Sequence, residues 1–554
     1  MYEISKNLVN ISALFNIFLV HMMLALITGK ISKRRYGSFS CIAIVSIIIY
    51  TISYSMLMEH NISIGKTKIF QDDSEELRKL HPNVPFEFLH NKKNKIVHSC
   101  GLNLHPNDTA NNNQTANNVS GILINNDYWQ KCETEFGILY LYSAYYDSRR
   151  KTTLGPTIQI IAMADRLLIY DIKLDCLMWD NENGDPLVSN KRVDITAMTQ
   201  AGDWKSDKSR TPENYRPYLL TCYVPQHKND QVPSTVSIIE SDDKKMNCYN
   251  PSNYLKVVHN SKKGKDMKTF AVCVKGLYVF EDISIRLIEW IELVRLMGAS
   301  QIFFYGLHMP DKVEHVLHYY ASKGLVVFTK TTLPGNQPNE PTLQNKYLKE
   351  AYYAEIYNEL IHLNDCFYRN IYRYEYVVNE DIDDIVMPRN GTWFDLLPYF
   401  EKDKCSHSIS VVSFFENLSP SGKWTGPTKT EKLNGKTEGG RAYMHMLKHV
   451  YRSQNITELV KSFMKTDRVK TTNSHLASSC LDSEKIGCPE KRQLLKSNIA
   501  LAHHYRKGCR KLSRMSKEEC YRNYQKHLVK DTTIFAFKKQ LQSNCLQTIK
   551  ELNI

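Results

Sequence analysis

The chain has 554 residues, 42% hydrophobic and 23% charged, so a large core can form and wholesale disorder is excluded. Lys and Arg exceed Asp and Glu by 72 − 58 = 14, a basic balance that suits nucleic acid, an anionic membrane or a phosphate-bearing substrate. At roughly 100 to 200 residues per domain, the length predicts several folded units.

Between Arg35 and Glu59 lie 23 uncharged residues, YGSFSCIAIVSIIIYTISYSMLM. As a helix they reach about 35 Å, enough to cross a bilayer core. No small-residue cleavage motif follows, so the run reads as an uncleaved anchor. Lys30, Lys33, Arg34 and Arg35 precede it, whereas Glu59, Asp72, Asp73, Glu75 and Glu76 follow it. This asymmetry predicts a cytosolic tail at 1–35, a transmembrane anchor at 36–58 and a lumenal remainder. The uncharged stretch 7–29 is either an extra apolar segment of the tail or a second span, and both place the bulk of the chain in the lumen.

Lumenal placement agrees with N-x-S/T triplets at Asn61, Asn107, Asn113, Asn118, Asn390 and Asn455. Thirteen of the fourteen cysteines lie beyond the anchor, where an oxidising compartment pairs most of them; their odd number leaves at least one thiol free or intermolecular. No C-x-x-C occurs, which argues against zinc ribbons and thioredoxin-like chemistry. With the basic residues lumenal and no aromatic-basic RNA-binding motif, nucleic acid is excluded as a partner.

Residues 59–125 are polar and Asn-rich, a stem. From 126 to 265 short β-type runs such as GILYLYSAYYD and TIQIIAMAD, broken by Asp, Asn, Gly and Pro, predict a small antiparallel sandwich. SKKGKDMK at 261–268 reads as a solvated linker. The pattern then changes over 266–525: FAVCVKGL as a buried strand, SIRLIEWIELVRLMG as an amphipathic helix stopped by Gly298, QIFFYG as a strand, DKVEHVLHYYASKG as a helix and LVVFTK as a strand. That β-α-β-α-β order predicts an α/β fold with a parallel sheet. Neither G-x-G-x-x-G nor a P-loop is present, so dinucleotide and P-loop readings lose support. A long helical segment over 345–370 leads into the strand YEYVV, which exits at Asn379-Glu380-Asp381-Ile382-Asp383-Asp384. Paired carboxylates at a strand's exit can hold a hard divalent cation shared with a diphosphate. Residues 526–554 read as a C-terminal extension.

The ordered set Val272-Cys273-Val274, Leu287-Ile288-Glu289-Trp290-Ile291-Glu292-Leu293, Gly298-Ala299, Phe303-Phe304-Tyr305, Leu363-Asn364-Asp365-Cys366, Asp381-Ile382-Asp383-Asp384 and Ala502-His503-His504-Tyr505-Arg506 resembles glycosyltransferase family 92, a family of Golgi β-galactosyltransferases with the GT-A fold. The resemblance covers about 270–510. It implies a GT-A-type nucleotide-sugar-binding domain behind the β-rich one, with UDP-galactose as donor, manganese as cofactor and an N-glycan or other glycoprotein acceptor, core fucose included. Asp381, Asp383 and His504 are the implied metal ligands, and Asp384 and His475 the implied substrate contacts. Glu289 sits in the matched helix and joins them as a substrate candidate, with Trp290 beside it suited to packing. Family members usually carry Glu where this chain has Asp384. An inverting transfer needs a carboxylate base; Asp395 is the first candidate, with Glu401 and Glu416 as alternatives. The polar, Gly-rich segment 410–440 reads either as a mobile lid over acceptor or donor, with Trp424 as a sugar-stacking platform, or as a disordered surface loop. The competing readings are a membrane-anchored glycan-binding protein and a glycosyltransferase-like protein without activity.

Overall fold

The computed structural model describes residue 83 and most of 124–554; the longest stretches outside that description are 1–82, 84–123, 199–214, 242–250, 261–266, 416–443 and 507–526. The expected anchor, nearly all of the stem, the stem sequons and most of the lid lie outside the described residues. Among the described residues no helix is long and apolar enough to cross a membrane. The chain divides into two units, Met1–Ser74, which lies outside the described residues, and Glu75–Ile554, which holds every element below.

The first sheet system is built on β1 (Gly137–Asp147), β2 (Thr157–Ala164), β3 (Leu174–Trp179), β4 (Arg216–Tyr223), β5 (Thr235–Glu240) and β6 (Leu255–Val258). Its pairings are antiparallel, as expected, except that β6 runs parallel to β1 at Val257–Ala144. Side chains alternate between two faces, and here both faces are buried. Leu139, Leu141, Ile158, Ile160 and Leu220 point into the sandwich, where Cys176 and Cys222 form a disulfide between β3 and β4. Tyr140, Tyr142, Ile161, Met163 and Leu219 point the other way, into a core shared with the second sheet. This double burial explains why β1 and β2 read as nearly continuous apolar runs.

The second sheet carries the expected β-α-β-α-β order: β7 (Lys268–Tyr278), α1 (Ser284–Met297), β8 (Gln301–His308), α2 (Asp311–Ser322) and β9 (Val326–Lys330). Strands β9, β8 and β7 are parallel, and β10 (Tyr374–Asn379) extends them in parallel beyond β7. The long helix expected over 345–370 divides at Ala351 (φ −96°, ψ 82°) into α3 (Pro341–Glu350) and α4 (Tyr352–Asn370). Beyond β10 the sheet continues through β11 (Asp384–Pro388), β12 (Ser406–Phe415), β13 (Val460–Lys465) and β16 (Ala500–Arg506), with β13 antiparallel to β10 and β12, β16 antiparallel to β11 and β16 parallel to β12, while β14 (Val469–Thr472) and β15 (Ala477–Cys480) form a separate hairpin.

Two expectations change here. Helix α1 is not one-faced: Glu289, Trp290 and Glu292 are as buried as its leucines and isoleucines, because α5 (Lys538–Leu552) closes over its outer side. Leu541, Cys545 and Ile549 of α5 belong to the same core as the parallel strands, so this part of 526–554 completes the fold rather than extending it. Gly298 ends α1 with φ 112°, a conformation open to glycine at little cost.

Helix α4 joins the two sheets. Its Asp365 is fully buried, where an unpaired carboxylate would be prohibitive. Ser143 and Tyr145 of β1 donate to Asp365 Oδ1 at 2.5 Å each, Tyr305 of β8 donates to Oδ2 at 2.6 Å, and Arg369 pairs with Oδ2 at 3.0 Å. One residue away, Cys366 is disulfide-bonded to Cys273 of β7. Cys405 and Cys488 both reach Cys480, which can bond only one of them. The β-rich and parallel-sheet parts, expected as separate domains, thus share one core and one polar network. Asp365→Ala is expected to destabilise the protein by about 3 kcal/mol or more in denaturant unfolding, since it strands three buried hydroxyls and a guanidinium. Lys323→Ala, which removes an exposed partner of Glu551, should cost less than about 1 kcal/mol.

Candidate active site

The site grows from the exit of β10. Asn379, the last residue of that strand, donates from Nδ2 to Thr472 Oγ1 at 2.8 Å and to the Asn473 carbonyl at 2.7 Å, fixing the strand end against the β14–β15 hairpin. The chain then turns through Glu380–Asp383, with the Asp384 N–H donating to the Asp381 carbonyl at 2.9 Å. Trp290 of α1 donates to the Asp384 carbonyl at 2.7 Å, and the Tyr505 N–H donates to the Asp383 carbonyl at 2.8 Å. Antiparallel register between β11 and β16 sets Asp384 opposite His504. His504 therefore lies between two acids, with Nε2 3.3 Å from Asp383 Oδ2 and Nδ1 3.2 Å from Asp384 Oδ1.

A buried ammonium sits behind the turn. Lys461 of β13, its side chain 1% exposed, lies 2.9 Å from Asp381 Oδ2 and 3.1 Å from Asp384 Oδ2. Lys275, at the exit of β7, lies 3.5 Å from Asp381 Oδ1 and also pairs with Glu359. Burial alone would lower the pKa of Lys461, but the carboxylates of Asp381, Asp384 and Glu380 outweigh it and hold the ammonium charged. The same lysines overcome burial at Asp381 and keep its carboxyl well below the usual range. Glu380 is pushed up to about 8, chiefly by burial. His475, at the hairpin, falls to about 4 through burial and the nearby Lys461 charge.

These groups face a cleft of about 640 Å³, lined by Lys275, Tyr278, Asp381, Asp383, Asp384, His475, His504 and Arg506, with Arg286 and Lys349 on its walls. The ligand atoms of Asp383, Asp384 and His504 all lie within 4.8 Å of one another, close enough to share one ion. The buried Asp384 Oδ1 makes no well-formed hydrogen bond, and neither does Arg506 Nε. An orphaned carboxylate oxygen beside a second carboxylate and an imidazole fits a divalent cation such as manganese. An orphaned guanidinium N–H in the same cleft fits a phosphate.

The profile of glycosyltransferase family 92 matches residues 268–545 of this 554-residue chain. The chain belongs to glycosyltransferase family 92. Comparison with curated proteins finds no match. The family span runs from β7 into α5, so the parallel sheet, the acidic turn and His504 are all inside it, and the first sheet system is outside. Membership makes the chain a glycosyltransferase, with a nucleotide-sugar donor and a glycan acceptor in general terms.

Of the residues singled out in the sequence, Asp381, Asp383, Asp384, His475 and His504 converge on the cleft. Three others do not. Glu289 is 1% exposed and accepts from the backbone N–H groups of His445 and Met446, both at 2.9 Å, while its Oε2 lies 2.7 Å from His445 Nδ1. It anchors a neighbouring segment instead of contacting substrate. Asp395 lines a separate cavity with Glu401, where its carboxylate accepts from the Thr392 N–H at 2.7 Å and caps a short 3-10 helix. A carboxylate so placed is a cap, not a base for chemistry at Asp383. Trp424 and Glu416 lie outside the described residues.

Lys461 and Lys275 were missed by sequence reasoning. Their signal was a lysine inside an apolar strand, in LVKSFM and FAVCVKGL, where burial requires an acidic partner. Asp395→Ala should lower stability by about 1 kcal/mol through the lost cap and leave turnover unchanged. Loss of turnover in a protein with normal unfolding behaviour would reinstate Asp395 as a catalytic group.

Proposed function

We propose that this family member is a metal-dependent, inverting β-galactosyltransferase of the Golgi lumen. It uses UDP-galactose as donor and a glycoprotein glycan as acceptor, core fucose of N-glycans among the candidates, and is held to the membrane by the 36–58 anchor. The observation that carries the reading is the convergence of Asp383, Asp384 and His504 at the exit of the parallel strands, in the same cleft as Arg506. Donor and linkage come from the family's theme; the site supplies the phosphate and cation chemistry.

Asp383, Asp384 and His504 would hold a divalent cation, which would supply positive charge to a leaving diphosphate. Arg506, with Arg286 and Lys349 on the cleft walls, binds the phosphates and orients them. Burial of Lys461 and Asp384 limits water at the inner end of the cleft, where charge interactions are strongest. The acceptor hydroxyl needs a base to take its proton. Asp395 and Glu401 line another cavity, which leaves Glu416 among the three candidates. Glu416, which lies outside the described residues, is the candidate that remains and is the proposed base.

The test offers the purified full chain a panel of UDP-sugars with fucosylated and unfucosylated N-glycans, with manganese and with a chelator. Transfer from UDP-galactose, a β-linked product and loss of activity under chelation are expected. Asp383→Asn, His504→Ala and Glu416→Gln should each lower kcat/KM by about 100-fold or more while the protein remains folded. Transfer from UDP-GlcNAc alone, or an α-linked product, would remove the galactosyltransferase assignment and spare the family membership.

A further inference from the structure

We propose that Lys461 is a resident counter-cation that withholds Asp381 from metal ligation and leaves the cation to Asp383, Asp384 and His504. The inference rests on the metal-dependent reading above and adds a division of labour within the acidic turn.

The geometry starts from strand order. Strand β13 pairs antiparallel with β10, Phe463 opposite Val378, so Lys461 lies alongside the exit of β10. Its side chain is 1% exposed, which leaves its ammonium no partner but protein acids. Both oxygens of Asp381 face ammonium groups, Oδ2 towards Lys461 at 2.9 Å and Oδ1 towards Lys275 at 3.5 Å. A divalent ion binds carboxylate oxygens at about 2.0–2.6 Å. An ion on either oxygen of Asp381 would thus meet a like charge at close range.

The other acids are oriented differently. Asp383 faces His504 and makes no salt bridge to either lysine. Asp384 divides its carboxylate, with Oδ2 on Lys461 and Oδ1 towards His504. The three-ligand cluster accordingly contains Asp383, Asp384 and His504 but not Asp381. Lys461 is a positioning residue: it reaches the ion's ligands and not the ion or the sugar.

Manganese binding, measured by calorimetry on the detergent-solubilised full chain, reads the division directly and does not depend on turnover. Asp383→Asn should weaken binding about tenfold or more, whereas Asp381→Asn should stay within about threefold of wild type. Lys461→Met keeps the bulk of the side chain, removes a nearby positive charge and frees Asp381. It should tighten binding about tenfold. Adding Asp381→Asn to Lys461→Met should return affinity towards wild type, since the gain requires the freed carboxylate. This double variant also restores charge balance, so it keeps the test open if Lys461→Met alone does not fold. A tenfold loss of manganese affinity in Asp381→Asn, or no tightening in folded Lys461→Met, overturns the proposal and leaves metal dependence standing. No manganese binding by any variant overturns both.

Discussion

A carboxylate can be sealed inside a protein only if its surroundings supply nearly everything water supplied. Asp365 meets that condition with three hydroxyl donors and a guanidinium, and the donors come from both sheets. The pairing cannot be satisfied unless α4 lies between the sheets in one rotation and one register. Fixing α4 fixes β7 on one side, through Cys273–Cys366, and β10 at its C-terminal end. The acidic turn follows directly from β10. A polar contact remote from the cleft therefore determines where the carboxylates of the acidic turn emerge.

The turn carries a second electrostatic constraint. Glu380, Asp381, Asp383 and Asp384 place four acids within five residues, faced by the ammoniums of Lys461 and Lys275 and by the imidazole of His504. Burial pushes the Glu380 carboxyl up and so weakens its share of the negative charge, while its Oε1 accepts from the Val386 N–H at 3.1 Å. What remains is a pocket with surplus negative charge on its open side, at Asp383, and compensated charge on its inner side, at Asp381. A diphosphate cannot approach such a surface unaided. A cation held at the cluster, with guanidinium groups nearby, would make the same surface a diphosphate site, so the cluster and Arg506 have to be understood together.

The parallel sheet was legible because each strand is a short apolar run and each helix has a start and a stop, and the D-x-D because strand YEYVV delivers it. The match of α1 to a one-faced helix failed because its polar residues, Glu289 and Glu292, are consumed by buried contacts that no periodicity reveals. Asp395 failed as a base for a related reason. Thr392 and Asp395 at a spacing of three form a capping box, and that local signal was a better guide than distance along the chain from the acidic turn. Lys461 stands 80 residues from Asp381 in sequence. Only strand pairing brings them together, and a single lysine in an apolar run carries no address for its partner. The fusion of the β-rich part with the catalytic part was likewise hidden. Its sign was the alternation of leucine and tyrosine in β1, which marks a sheet covered on both faces.

The position that departs from the family's usual pattern bears on whether the site remains competent. A glutamate following the second aspartate would carry one more methylene than Asp384 does. Asp384 begins β11 directly opposite His504, and at that point the shorter side chain already spans from Lys461 Nζ at its Oδ2 to His504 Nδ1 at its Oδ1. An added methylene would have to fold away from one of these partners in a position only 3% exposed. In this chain the aspartate is thus matched to its surroundings, and the replacement preserves a carboxylate at the cluster rather than vacating it. A decayed site loses its costly features first, because buried charges are kept only under a functional or structural demand. Here the orphaned Asp384 oxygen and the unpartnered Arg506 N–H lie in one cleft, with the buried Lys461 behind Asp384.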